Sequence, residues 1–179
     1  FVACVGLALL YHLVRRAQVE ALRSELTSLA RSLAVQMDGD LHRTLTSPRQ
    51  MGTPEHLKAL APMVAFHRAN PNLYYVYTAV LHENRIHIVL GTDYLQPNPK
   101  DNQPVDPIMT PYGGVDVEFE RALREGIDLA NAQPVTDAQG TFLSAFAPFY
   151  DREGRRVGVV GLDLERSEEH TSELQSRYV

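Results

Sequence analysis

The sequence predicts an α+β domain in which a five-stranded antiparallel sheet is backed by a long N-terminal helix. Three observations predict it. Two apolar runs, 141–150 and 157–164, flank the turn Asp151-Arg152-Glu153-Gly154. Val19, Leu22, Leu26, Leu29 and Leu33 recur at alternating spacings of three and four residues. Two further β-rich runs, 73–80 and 85–93, are separated only by the short turn His82-Glu83-Asn84.

Taken in order, the chain begins with an apolar run, 1–14 (FVACVGLALLYHLV). As a helix this run spans about 21 Å, against about 30 Å of hydrocarbon in a bilayer. It reads as the tail of a transmembrane helix rather than a signal-peptide core or a buried helix. A signal core leads to a small-residue cleavage site, whereas Arg15 and Arg16 lead straight into further helix. Those two arginines favour the cytoplasmic side, which conflicts with an exported domain downstream unless charges lying before Phe1 outweigh them. Cys4 is the one cysteine, so no intrachain disulfide is available.

The helix continues over 17–37. Its heptad seam can pack on the sheet, on a second copy of itself, or on each along different portions. Asp38-Gly39-Asp40-Leu41-His42 interrupts it. Asp38 and His42 could share a face as metal ligands, but polar residues at a helix break are read as caps. Thr53-Pro54-Glu55 starts the next helix, with an N-cap followed by proline at the first position. Pro62 is expected to kink or split that helix, and Asn70-Pro71-Asn72 ends it.

The first strand, 73–80, directs Tyr75, Tyr77 and Ala79 to one face and Tyr74, Val76 and Thr78 to the other. The second, 85–93, ends at Asp93. The stretch 94–114 holds five prolines and reads as a long irregular loop, a kind of segment that is often functional. A short helix follows over 115–125, with Val115, Phe119 and Ala122 inward and Gly126 as its stop. Residues 133–137 read as a short strand before the final hairpin.

That hairpin is apolar on both faces. Phe142, Ser144, Phe146 and Tyr150 share one side; Leu143, Ala145, Ala147 and Phe149 share the other. On its second strand Val157, Val159, Gly161 and Asp163 alternate with Val160, Leu162 and Leu164. A hairpin of this kind belongs inside a sheet covered on both sides. Asp163 reads as a structural strand-end residue.

Composition narrows the function. With 179 residues and 44% hydrophobic content, the chain can build one cored domain. Net charge is −5, and no basic patch with interleaved aromatics is present, so nucleic acid is excluded as a partner. There is no phosphate loop, no G-x-S-x-G and no H-E-x-x-H, and no catalytic, cofactor or metal constellation stands out. Ser144 has no histidine near it in sequence. His87 and Asp93 lie about 20 Å apart along a strand, too far to share one ion; His82 and His87 read as exposed strand histidines. The fragment therefore reads as a non-enzyme. Arg166 to Ser176 (RSEEHTSELQS) looks like a translated sequencing-adapter read, and 166–179 is set aside from the fold.

Against this background the wording resembles the PAS-like single Cache domain. The resemblance lies in the helix break at Asp38 to His42, in Tyr75-Val76-Tyr77-Thr78, and in the strand ending at Asp93. It is most specific in Asp137, Gly140, Ser144, Pro148, Asp151, Gly154, Gly158, Gly161 and Asp163, and covers about residues 20 to 165. It implies a division into a partial transmembrane helix (1–14), a long helix with its break (15–45) and a sensor domain (46–165). It also implies a location at the inner membrane with the sensor domain periplasmic or extracellular, and a missing output domain of histidine kinase, nucleotide cyclase or chemoreceptor type.

In the Cache arrangement one sheet face packs on the long helix, and the loop and helix after the second strand roof the other. The implied pocket is lined by Tyr75, Tyr77, Asp93, Tyr112, Ser144 and Phe146. Its ligand would be a small molecule, with Asp93 favouring an amine or amino acid, and the N-terminal helix would serve as membrane tether and homodimer stalk. Two other classes remain: an exported metal-dependent hydrolase using Asp and His side chains, and a structural dimerisation module with a collapsed pocket.

Overall fold

The structure, a computed structural model, describes residues 2–97, 104–136 and 140–165. Helix α1 (Val2–Ala34) takes in both the apolar N-terminal run and the heptad seam without interruption. It is followed by α2 (Gly39–His42), a 3₁₀ turn (Pro48–Gln50) and α3 (Pro54–Ala69). Strands β1 (Leu73–His82) and β2 (Arg85–Gly91) come next, then a second 3₁₀ turn (Thr92–Tyr94) and β3 (Thr110–Pro111). The chain continues through α4 (Val117–Glu125), β4 (Leu129–Ala130), β5 (Val135–Thr136), β6 (Thr141–Tyr150) and β7 (Arg156–Glu165).

The sheet runs in the order β3-β2-β1-β7-β6-β4, with β5 also on β6, and every pairing is antiparallel. It has seven strands among the described residues, not five. β3 and β4 are the additions. Each is two residues long, too short to carry a period that alternation can reveal. The final hairpin lies where its two apolar faces require. β7 sits between β1 and β6, and both its sides are covered.

One cover is made by α1 and α3. Leu26, Ala30, Leu33 and Ala34 of α1 pack with Leu60, Met63 and Val64 of α3. They lie against Val76, Leu143, Ala145, Ala147, Phe149, Val160 and Leu162, with Leu22, Leu29, Val157 and Leu164 at the margin. The heptad seam from Leu22 to Leu33 is thus spent on the sheet. Leu7, Leu10, Tyr11, Leu13 and Val14, higher on α1, are exposed. Among the described residues no helix is long and apolar enough to cross a membrane.

The other cover is α4, whose Phe119, Ala122 and Leu123 pack with Ala79, Phe146 and Val159. Asp116 caps this helix by accepting a hydrogen bond from the Phe119 amide (2.8 Å), and Gly126 ends it at φ +70°. Val115 was expected to face inward but precedes the cap, and it is 92% exposed.

Three further expectations are corrected. Pro62 does not split α3, which runs unbroken from Pro54 to Ala69 with Thr53 as its cap. A proline there deprives the Lys58 carbonyl of its partner, and Lys58 is on the exposed side, where water can serve instead. The first strand runs on to His82, leaving Glu83 (φ 48°) and Asn84 (φ 63°) as a two-residue turn. The second strand stops at Gly91, two residues before Asp93. There the chain turns so that Thr92 is buried: its hydroxyl donates to His67 Nδ1 (2.7 Å), while His67 Nε2 donates to the Leu73 carbonyl (3.0 Å). That exchange ties α3 to β1. Asp137 and residues 98–103 of the long loop lie outside the described residues, as do residues 166–179.

The helix break docks on the β6–β7 turn. Asp38 caps α2 through the Leu41 amide, and His42 is buried, with Nε2 hydrogen-bonded to the Thr78 hydroxyl (2.8 Å) and its ring edge-on to Phe149. Burial pushes His42 down from 6.5 to about 3. The Asp151 side chain is enclosed between Arg43 (3.2 Å) and Arg155 (2.8 Å). Burial alone would raise its carboxyl; hydrogen bonds from Arg155 and the two guanidinium charges outweigh that and hold it below the usual carboxylate value.

Candidate functional site

The site grows out of one register. Across the sheet, Gly91, Tyr77, Gly161 and Phe146 stand directly opposite one another on β2, β1, β7 and β6. Gly161 presents no side chain, and the Tyr77 ring lies down over it; a Cβ there would strike the ring. The phenol therefore reaches across β7 and donates to Asp163 Oδ1 (3.3 Å). Burial raises the Tyr77 hydroxyl well above 10, and the carboxylates of Asp163 and Asp116 and the neighbouring Tyr112 phenol add to the rise. In the adjoining row Tyr75 and Ser144 flank Asp163 from either side.

Over the middle row sits Phe119 of α4. It stacks face to face on Phe146, with ring centroids 4.6 Å apart and planes within 6°. Tyr77 (5.9 Å) and Tyr112 (5.2 Å) meet it edge-on. Beside it Asp116 accepts from Asn131 Nδ2 (3.0 Å). Asn131 is 1% exposed, and its Oδ1 has no hydrogen-bond partner among the described residues. Beneath a roof helix, the sheet thus gathers an aromatic cluster next to two carboxylates and an amide oxygen, all acceptors.

Tyr77, Tyr112 and Phe146 come together around Phe119. Tyr75 is on the same face, packed against Phe142 and Tyr74 rather than under the roof centre. Ser144 is buried on β6 opposite Asp163. Asp93 is in the 3₁₀ turn, not on a strand. Its carboxylate folds back against Gly91, on the side of Tyr77 away from Asp163.

The reading that made Asp163 a purely structural strand end missed its place beneath the roof beside Tyr77. Asp116 and Asn131 were also missed. Alternation gives Asp163 the Tyr77 face, so that much could be read in advance. Its contact with Tyr77 depends on the β1–β7 register, which alternation does not give.

A groove of about 320 Å³ opens on the outer side of Tyr112, lined by Leu81, Arg85, Ile86, Pro111 and Glu120 among others. A second hollow of about 320 Å³ lies at the helix break, between Asp38, Asp40, Tyr150 and Arg152. Among the described residues no three His, Cys, Asp or Glu side chains are grouped to hold a metal ion. His82 and His87 meet edge-on at 5.5 Å near the end of the β1–β2 hairpin.

No protein-family model matches the sequence, and no curated protein matches it. Solved structures do match. The ligand-binding domain of the Campylobacter jejuni chemoreceptor Tlp3 in complex with L-valine aligns at TM-score 0.50 and 16% identity, over 85% of this chain and 56% of that one. The sensory domain of the same receptor with isoleucine bound gives TM-score 0.50 and 16% identity, over 85% and 55%. A further structure of that sensory domain gives 0.50 and 15%, over 85% and 56%. The chain spans little more than half the length of these domains. At such identity the likeness is one of fold: the PAS-like arrangement of a long helix behind an antiparallel sheet, as the Cache resemblance implied.

Proposed function

We propose that this chain is the extracytoplasmic small-molecule sensing domain of a membrane-bound bacterial signalling receptor, and that it binds rather than catalyses. The observation that carries the reading is the roofed face. The Tyr77 phenol is enclosed against Asp163 under a short helix whose N-terminus is capped by Asp116. A purely structural sheet face would be closed with apolar groups, because half-burying carboxylates and a phenol adds desolvation cost without packing gain. The face gathers acceptors, the Asp163 and Asp116 carboxylates and the Asn131 amide oxygen, which suits a ligand bringing an ammonium group, an amine or an amino acid, whose apolar part would displace Phe119 from Phe146. The fold is shared with a chemoreceptor domain solved with valine and with isoleucine, which supports the class of ligand.

The exposed apolar start of α1, Leu7, Leu10, Tyr11, Leu13 and Val14, supports a membrane tether and a homodimer stalk. Ligand entry would shift β7, and with it the chain beyond Glu165, against that stalk, provided the ligand favours one of the two arrangements.

A thermal-shift screen of amines, amino acids and organic acids tests the reading. A ligand at a hundred times its dissociation constant adds about 2.7 kcal/mol, or about 5–10 °C in a domain of this size. A rise of that order with an ammonium compound is the expected result. No rise across the panel would leave the dimerisation module, and stoichiometric zinc or manganese in the purified protein would favour the hydrolase.

A further inference from the structure

Residues 128–131 lie between the roof and the long helix and are fastened to both. On the helix side, Arg31 Nε donates to Asp128 Oδ2 (2.6 Å) and Arg23 Nη2 donates to the Ala130 carbonyl (3.1 Å). On the roof side, Asn131 Nδ2 donates to Asp116, the residue that caps α4. In between, the strip is a two-residue strand at the sheet edge, held by β6 through Leu129 and Ala130 and by the Asn131 amide on the Ser144 carbonyl (2.9 Å).

Such a short edge strand has few backbone bonds to break, so it can move as a unit. Two buried polar atoms where the strip meets its neighbours, Asn131 Oδ1 and Nε of the Arg23 that grips Ala130, have no partner among the described residues. Buried polar groups are almost always satisfied, so here, as at His42 Nδ1 and Gln96 Oε1, a second arrangement would gain hydrogen bonds.

We propose that residues 128–131 form a coupling strap, through which a change under the roof is delivered to α1 by Asn131 and Arg23, without passing along β7. This rests on the sensor reading for its purpose, but not for its test. Anything that lifts α4 moves Asp116, hence Asn131, hence the Ala130 carbonyl that Arg23 grips. The strap meets α1 between Arg23 and Arg31, on the same stretch that carries the seam leucines Leu26 and Leu29. The coupling would therefore act on how the helix seats against the sheet.

Amide hydrogen exchange of the full chain reads this without a ligand. Asp116→Ala removes both the roof cap and the bond to Asn131. In the otherwise native chain it is expected to raise exchange over 20–32 of α1 by about fivefold, the lower end of usual site-to-site coupling. In an Arg23→Met background the same change should leave that stretch unaltered, while α4 responds in both. If Arg23→Met does not fold, Arg23→Gln, whose shorter side chain cannot span to the Ala130 carbonyl in the same way, takes its place in the same comparison. An equal rise in both backgrounds, or none in the native one, overturns the strap. A panel of amines with no thermal effect would remove the sensor reading while leaving this result standing.

Discussion

The two faces of the sheet are built on different principles. The face under α1 and α3 is closed by mostly aliphatic side chains from both helices and the strands they cover, and the members of its polar pair, His42 Nε2 and the Thr78 hydroxyl, bond to each other, leaving only Nδ1 of that pair without a partner among the described residues. The face under α4 is closed by one short helix through three side chains, over a phenol, two carboxylates and an amide. Both bury residues, yet only the first is economical as a core. The difference teaches where stability and function are expected to separate: substitutions beneath α1 should unfold the domain, and substitutions beneath α4 should change what it binds.

Ways to break that contrast run from large to small. Leu33→Ala, at a position 0% exposed, should cost about 2–5 kcal/mol by denaturant unfolding, through lost burial and the cavity left behind. A cost under about 1 kcal/mol would deny the α1 face its role.

Acid should act on the same face. His42 is held neutral, its pKa lowered from 6.5 to about 3. The unfolded chain takes up that proton as pH falls below 6.5, so stability is intact above this pH and declines towards about 3. The slope is about 1.4 kcal/mol per unit. Thermal unfolding at stepped pH values should show the decline in the native chain and a flatter slope in His42→Gln. Burial lowers His56 too and adds to the decline with the same sign.

Gly39→Ala should cost about 1–3 kcal/mol, because its Cβ would be driven into the Tyr150 carbonyl and the Asp151 amide, both backbone. Calorimetry would register it, and a neutral outcome would show the helix break is not pressed on the hairpin turn. Smallest of all, Tyr77→Phe should change unfolding free energy by about 1 kcal/mol or less. A loss as large as that of Leu33→Ala would make the roof face an ordinary core.

Much of the first face was legible in the sequence, and little of the second. Leu26 and Leu33 announced themselves by spacing, the hairpin by alternation on both sides, and α3 by Thr53 and Pro54. Each is a local pattern that a single element must satisfy to be buried at all. The roof face depends on register and on irregular chain. The meeting of Asp163 with Tyr77 follows only once Gly161 is known to pair with it. Asp116 and Asn131 sit in turns whose partners are remote. Val115 looked apolar enough to point inward, but the cap one residue later sets the helix phase and leaves it outside. Asp93 looked like a strand end because β-branched residues run up to Thr92, whose hydroxyl in fact turns in to His67.

The central claim is that the carboxylate under the roof receives a cationic group while the other face carries the fold. Thermal shift of the native chain and of Asp163→Asn, side by side against one panel of small amines and amino acids, tests it most directly. The account predicts a rise with at least one ammonium compound that disappears in Asp163→Asn, with the two unliganded proteins melting within about 4 °C of each other. An undiminished rise in Asp163→Asn would contradict it.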